Sequence, residues 1–166
     1  LVVQHGVEFR PTAVHDLPVD RDPRLLDALE EHPHVCLEAH STDYQNATVY
    51  PRLAQLGFAF QKVGPALTFA YRKALYALDQ LRENKGALQA EMERGMLDDP
   101  SKWRGHYQGN ADAIYSQRHF GLADRIRYYW PQKTAQDAVE ALFSDLAGVI
   151  PDADLVTAFE DTVLAR

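Results

Sequence analysis

Val35-Cys36-Leu37-Glu38-Ala39-His40-Ser41-Thr42-Asp43 and Phe58-Ala59-Phe60-Gln61-Lys62-Val63-Gly64-Pro65-Ala66-Leu67-Thr68 decide how this chain folds. Each opens with a short apolar run of strand type and passes directly into polar or glycine-bearing residues. Between them lies a helical stretch, about residues 46 to 56, with Gly57 placed to end it as a C′ residue. Pro51 weakens the case for that helix unless it sits in the opening turn, where proline is tolerated. Strand, helix and strand in succession make a βαβ unit, with parallel strands and a right-handed crossover. Upstream, Leu1-Val2-Val3 leads to Gln4-His5-Gly6-Val7-Glu8, and Asp22 to Glu31 supplies another connecting helix. There Asp22 is placed to cap, Pro23 suits the first turn, and Leu25, Leu26 and Leu29 form one apolar face. The unit therefore occurs in tandem. A long Ala- and Leu-rich helix over about Ala66 to Glu83 follows, closed by Asn84 and Gly86.

Beyond residue 86 the pattern changes. Ala87 to Leu97, Ser101 to Tyr107, Ala111 to Phe120, Leu122 to Trp130, Thr134 to Leu146 and Ala153 to Leu164 read as short helices, with no convincing strand. The expected organisation is α/β over residues 1–86 and an all-α extension over residues 87–166. The chain has 166 residues, 24 acidic against 17 basic, a formal net charge of −7 and a single cysteine. An acidic balance argues against a nucleic-acid binder or a polybasic membrane-surface protein. One cysteine excludes an internal disulfide framework and fits a reducing cytoplasm. Cys36 itself, in an apolar run, reads as core rather than nucleophile. No apolar run approaches the ~20 residues of a membrane span. Beginning at Leu1 inside an apolar run, the chain reads as a piece of something longer.

In α/β folds ligands gather at the carboxyl ends of the strands, and here all three runs end in chemistry-bearing residues. His5, His40, Glu8, Glu38 and Asp43 offer the imidazole and carboxylate donors of a divalent metal site, which could polarise the carbonyl of a sugar phosphate and stabilise an enediolate. The alternative is that they are hydrogen-bonded rim residues holding loops. Gly64 after the third run lets the backbone approach a ligand, and the following helix offers amides and a positive dipole end to a phosphate. Ser41 and Thr42 could add hydroxyl donors. Otherwise, Gly64-Pro65 merely turns a strand into its helix. There is no Gly-x-x-x-x-Gly-Lys-Ser/Thr, so phosphate transfer from a nucleotide has no support. His15, His32 and His34 lie in loop-like sequence and read as solvated. In Asp124-Arg125-Ile126-Arg127-Tyr128-Tyr129-Trp130-Pro131, a helix packed through Ile126, with Arg125 and Arg127 paired to carboxylates, is favoured over an anion clamp.

Leu1 to Gln4, Gly6 to Phe9, Glu38 to Gln45, Lys62 to Ala70 and Asp124 to Pro131 closely resemble the GatZ/KbaZ family. Its members are the so-called non-catalytic subunits of class II D-tagatose-1,6-bisphosphate aldolase, long labelled tagatose-6-phosphate kinases. The likeness runs with gaps from residue 1 to about 150. His5 stands where the family carries proline, and the tail after Ile150 departs from the family's ending. The resemblance implies the carboxyl-terminal part of an aldolase-type (β/α)8 TIM barrel, its last three β/α units, followed by the helical extension. It implies a cytoplasmic, sugar-phosphate-binding lyase subunit of galactitol, N-acetylgalactosamine or tagatose catabolism, supporting a catalytic class II aldolase subunit in a homo- or hetero-oligomer. Within the same family lies a second reading, a metal-dependent ketohexose-6-phosphate 4-epimerase working by retro-aldol and aldol steps. A third is a purely structural partner.

By that analogy, a divalent metal such as zinc would take His40 and His5, with Glu8, Glu38 and Asp43 as catalytic carboxylates. Ser41, Thr42, Lys62, Gly64, Ala66 and Thr68 would hold phosphate. A closed barrel needs about 250 residues, so the remaining strands are expected from residues outside this sequence or from another chain.

Overall fold

A hairpin that the apolar pattern did not announce comes first. Glu8–Arg10 (β1) and Ala13–His15 (β2) pair antiparallel, with Phe9 opposite Val14 and Pro11-Thr12 at the turn. Its signal was the alternation Phe9, Val14 across a proline turn, hidden because each strand has only three residues. The computed structural model describes residues 1–3, 6–20, 22, 24–148, 153 and 157. Gln4, His5, Pro23 and Ile150 thus lie outside the described residues, as does most of the helix expected over Ala153 to Leu164.

Leu25–Glu30 (α1) is shorter than the Asp22 to Glu31 helix expected. Arg24 takes the N-cap position with a left-handed φ of 54°, and Asp22 Oδ1 accepts from its amide at 2.8 Å. Asp22 therefore shapes the turn before the helix rather than capping it. Leu25 and Leu29 pack against the core, whereas Leu26 is left exposed.

The next strand is Leu37–Ala39 (β3), two residues later than the most apolar run. Leu37 and Ala39 are buried and Glu38 between them is not, the period-two alternation of a strand with one covered face. Val35 and Cys36 precede the ladder, and Cys36 is exposed, contrary to the core position expected of it. Val49–Gln55 (α2) places Pro51 in its opening turn, and Gly57 follows it with φ +91°. Phe58–Gln61 (β4) then pairs parallel with β3, Leu37 opposite Phe58 and Ala39 opposite Gln61, with a register shift between Leu37 and Glu38. The first of the three expected strands is reduced to a single parallel bridge, Val2 to Glu38. Leu37, Ala39, Val49, Leu53, Leu56 and Phe58 form the core under this small sheet. Each fully buried aliphatic or aromatic side chain there contributes about 1.5–3 kcal/mol.

Pro65–Asp79 (α3) begins three residues after β4. The chain divides into two compact units, Leu1–Ala66 and Leu67–Arg166. The long helix therefore belongs mainly with the helical unit, twenty residues before the boundary expected at residue 86. Ala87–Asp98 (α4), Ala111–Phe120 (α5) and Lys133–Leu146 (α6) form where helical periodicity placed them. The stretches expected as helices at Ser101 to Tyr107 and Leu122 to Trp130 shrink to 3-10 turns, Pro100–Lys102 and Arg125–Tyr128. Leu75, Leu88, Met92, Met96, Ile126, Tyr129, Leu142 and Leu146 fill the core of this unit. Among the described residues no helix is long and apolar enough to cross a membrane.

Candidate functional site

At the carboxyl ends of β3 and β4 the first unit carries a hollow of about 190 Å³, lined by Phe9, His40, Ser41, Asp43, Lys62, Gly64 and Pro65. Parallel pairing of adjacent strands puts both exit loops on the same side, so residues twenty apart in sequence meet there. Backbone strain shapes the first loop. Ser41 and Tyr44, neither of them glycine, hold left-handed φ of 57° and 63°. Such residues cost of order 1–3 kcal/mol each and persist only where surroundings enforce them. Gln45, fully buried, is one enforcer: its amide donates to His15 O at 3.1 Å and its oxygen accepts from Leu17 N at 3.2 Å. Tyr44 meets Phe9 edge to face at 5.3 Å.

Between the two strained residues, Thr42 and Asp43 point inward, 0% and 2% exposed. Thr42 Oγ1 donates to Lys62 O at 2.9 Å. Asp43 Oδ1 accepts from Gly64 N at 2.8 Å and from Ala66 N at 2.9 Å. The amides at 64 and 66, expected to face a phosphate, are thus engaged by a carboxylate of the same chain. Tyr50 donates its hydroxyl to Thr42 O, and Gln61 donates its amide to Tyr50 O. Nothing in the apolar pattern singled out Phe9, Gln45, Tyr50 or Gln61; their polar or aromatic character in short strands, a loop and a helix start was the only signal.

Glu38 on β3 and His40 just past its end are two residues apart and meet, His40 Nε2 lying 2.8 Å from Glu38 Oε1 with each side chain 37% exposed. An ionised carboxylate can only accept, so the Nε2–H of His40 donates to Glu38 and orients the ring. Glu8 is exposed on β1 and alternates with Phe9, which lines the hollow. Lys62 is exposed at the hollow's edge, Ser41 is half-buried beside it, and Thr68 belongs to the second unit. His5 lies outside the described residues. Among the described residues, no group of three or more His, Cys, Asp and Glu is placed to hold a metal ion. The pair Glu38–His40 is a donor set of two, so the described residues do not by themselves fit a three-ligand zinc site.

Gly64 is unusual among the wall residues. Its φ is not in the left-handed region, and a Cβ built on it would meet no atom within 4 Å. Nothing in the local fold demands glycine there.

The second unit holds a separate buried polar network. His119, fully buried, receives the Tyr76 hydroxyl at Nδ1 (2.7 Å) and faces Glu93 through Nε2 (3.0 Å), while Arg118 pairs with the same carboxylate. Burial holds the imidazole below its ordinary range, although Glu93 pulls the other way. Burial likewise pushes the Tyr76 hydroxyl far up. Burial alone would raise Glu93, but hydrogen bonds and attraction from Arg118 and His119 outweigh it and hold it low. Arg72 Nε donates to Asp124 Oδ1 at 2.9 Å, both side chains buried, with the guanidinium 4.4 Å above the Phe69 ring. Arg125 and Arg127, expected to pair with carboxylates, instead donate to the carbonyls of Lys102, Ala123 and Asp124. The acceptors are Lys102 at the end of the first 3-10 turn and the two residues just before the second, so local backbone carbonyls take the place of carboxylates. Ile126 is fully buried, as expected.

Comparison with known proteins matches residues 1–163 to a family described as "D-tagatose-1,6-bisphosphate aldolase subunit GatZ/KbaZ-like". The chain is 43% identical over 158 residues to the D-tagatose 6-phosphate 4-epimerase of Agrobacterium fabrum, covering 91% of this chain and 37% of that protein. It is 42% identical over 157 residues to the D-tagatose-1,6-bisphosphate aldolase subunit GatZ of Escherichia coli K12, covering 90% and 37% respectively. A crystal structure described as a probable tagatose 6 phosphate kinase from Sinorhizobium meliloti 1021 superposes with a TM-score of 0.84 at 42% identity, over 95% of this chain and 42% of that one. The chain therefore spans less than half the length of these relatives.

Proposed function

Since the chain belongs to the GatZ/KbaZ-like family, we propose that it is part of a cytoplasmic sugar-phosphate-binding subunit that supports a catalytic class II D-tagatose-1,6-bisphosphate aldolase subunit. The observation that carries this reading is the hollow at the ends of β3 and β4, where Lys62, Ser41, His40 and the unencumbered Gly64 wall converge. Lys62 supplies a cation for a phosphate, Ser41 a hydroxyl donor, and Gly64 room for close approach. Glu38 accepts from His40 Nε2 and so fixes an imidazole at the wall of the hollow, within reach of acid–base exchange with a sugar hydroxyl. The likeness in architecture to a longer relative supports reading β3, β4 and the Val2 segment as the last strands of a (β/α)8 barrel. The subunit would work in tagatose, galactitol or N-acetylgalactosamine catabolism as one member of an oligomer.

A second reading is favoured by one specific observation, the likeness to a protein named as a D-tagatose 6-phosphate 4-epimerase. The two readings separate cleanly. Co-expression of the complete polypeptide with a catalytic class II aldolase subunit should raise that partner's thermal stability and its cleavage of tagatose 1,6-bisphosphate, with no conversion of tagatose 6-phosphate by the polypeptide alone. Conversion to fructose 6-phosphate without a partner, with stoichiometric divalent metal and loss on His40→Ala, would replace the subunit reading with the epimerase. Neither result would leave only a structural partner.

A further inference from the structure

We infer that Thr42 and Asp43 are positioning residues that fasten the loop between β4 and α3, so that ligand contact falls to His40, Ser41, Lys62 and the Gly64 wall. This rests on the sugar-phosphate reading of the hollow and divides its residues by role. Burial makes the first division. Thr42 and Asp43 are 0% and 2% exposed, whereas Lys62 is exposed and His40 and Ser41 are half-open. Hydrogen bonding makes the second. Thr42 Oγ1 spends its proton on Lys62 O, and one oxygen of Asp43 takes two amides, Gly64 and Ala66. These three bonds span the residues from Lys62 to Ala66, the whole connection from β4 into α3.

The molecule contains an independent instance of the same device. Asp79, fully buried in the second unit, accepts from Leu88 N and Gln89 N at the start of α4, whose own N-cap is Gly86. In both places a glycine with no side chain precedes the helix, and a remote buried aspartate supplies the missing acceptor. Asp79 also lies 3.6 Å from Arg82 Nη1. The strained φ of Ser41 and Tyr44 completes the case, because it is what turns Thr42 and Asp43 toward the second loop. Thr42 thus fixes where the Lys62 backbone stands, and Asp43 Oδ1, holding two amides, fixes where the Gly64 wall stands.

The test uses the complete polypeptide with Asp43→Asn, Asp43→Ala, Thr42→Val and Thr42→Ser. Two readouts are needed: hydrogen exchange of the Gly64 and Ala66 amides, and calorimetric titration with fructose 6-phosphate and with inorganic phosphate. Asparagine keeps an acceptor oxygen, so Asp43→Asn should leave exchange and affinity within about threefold of the parent. Asp43→Ala should speed exchange and weaken affinity by about tenfold or more. Thr42→Val should weaken affinity several-fold and Thr42→Ser restore it, which keeps the proposal testable if Asp43→Ala fails to fold. Where turnover is present, the loss should appear in KM with kcat held. Loss of kcat in Asp43→Asn with normal exchange at Gly64 and Ala66 would overturn the proposal, since Asp43 would then act on the ligand. So would unchanged exchange in Asp43→Ala. A parent protein that binds no sugar phosphate would sink the functional reading, while the exchange data would still decide whether Asp43 holds the loop.

Discussion

Glycine separates folding from function at two positions in the first unit. Gly57 stands at φ +91°, and a Cβ there would come within 2.8 Å of Leu26 Cδ2. Gly57→Ala should therefore destabilise by about 1–3 kcal/mol, read as a lower urea midpoint. Gly64 has neither constraint. Gly64→Ala should fold as well as the parent or gain up to about 1 kcal/mol from the restricted unfolded chain, yet bind sugar phosphate about tenfold more weakly as its methyl takes up ligand space. Equal binding would show that the wall is turn and nothing more. This contrast also marks how far the site was legible beforehand. Residue types at strand ends pointed to His40, Ser41, Lys62 and Gly64, and the four line one hollow because strand termini in α/β units face one side. Roles were harder to read. Thr42 and Asp43 have the same chemistry whether they meet a ligand or the backbone of the next loop, and only the folded loop shows those backbone partners.

Elements were legible in proportion to their length. α4, α5 and α6 each run ten residues or more and were placed nearly to the residue, because periodicity accumulates. The three-residue strands and the turn at Arg125–Tyr128 hold too few periods to register, and tertiary partners set them. Those partners give the helical unit its pH dependence. The native imidazole of His119 is held low, so below about pH 6.5 the unfolded chain binds a proton that the native unit resists. Stability present above that point drains as pH falls toward the native value. Glu93, also held low in the native state, adds a loss at more acidic pH through its own native value. The urea midpoint, followed by the buried Trp103, should therefore fall from about pH 7 to pH 5, and His119→Gln should flatten the upper part of that slope. A parallel slope in the variant would assign the effect to other groups. The Arg72–Asp124 pair makes a different prediction. Among the described residues both Nη atoms and Asp124 Oδ2 find no hydrogen-bond partner, so the pair is incompletely satisfied there. Arg72→Met alone should cost about 3–5 kcal/mol by stranding the carboxylate, while Arg72→Met with Asp124→Leu should recover most of it.

At the scale of the molecule, the sheet of the first unit is covered on one face only. Leu37, Ala39 and Phe58 are buried against α2, whereas Phe60 is 60% exposed and Val2 54%. Among the described residues β4 pairs along one edge alone. In a (β/α)8 barrel the uncovered face would line the interior, where side chains from alternate strands stack in layers. The barrel reading therefore predicts opposite responses to one substitution in two contexts. In the 166-residue chain, Phe60→Glu should change the urea midpoint little, since the ring already meets water. In a polypeptide of the relatives' length the same change would place a charge in a packed interior and should cost several kcal/mol, about 3 or more, or prevent folding. Urea titration of both lengths, each with and without Phe60→Glu, reads the difference directly. A small effect in both would mean that Phe60 faces solvent in the longer protein too. The strands would then not close a barrel on that side, and the hollow would have to bind its ligand at the rim of an open sheet.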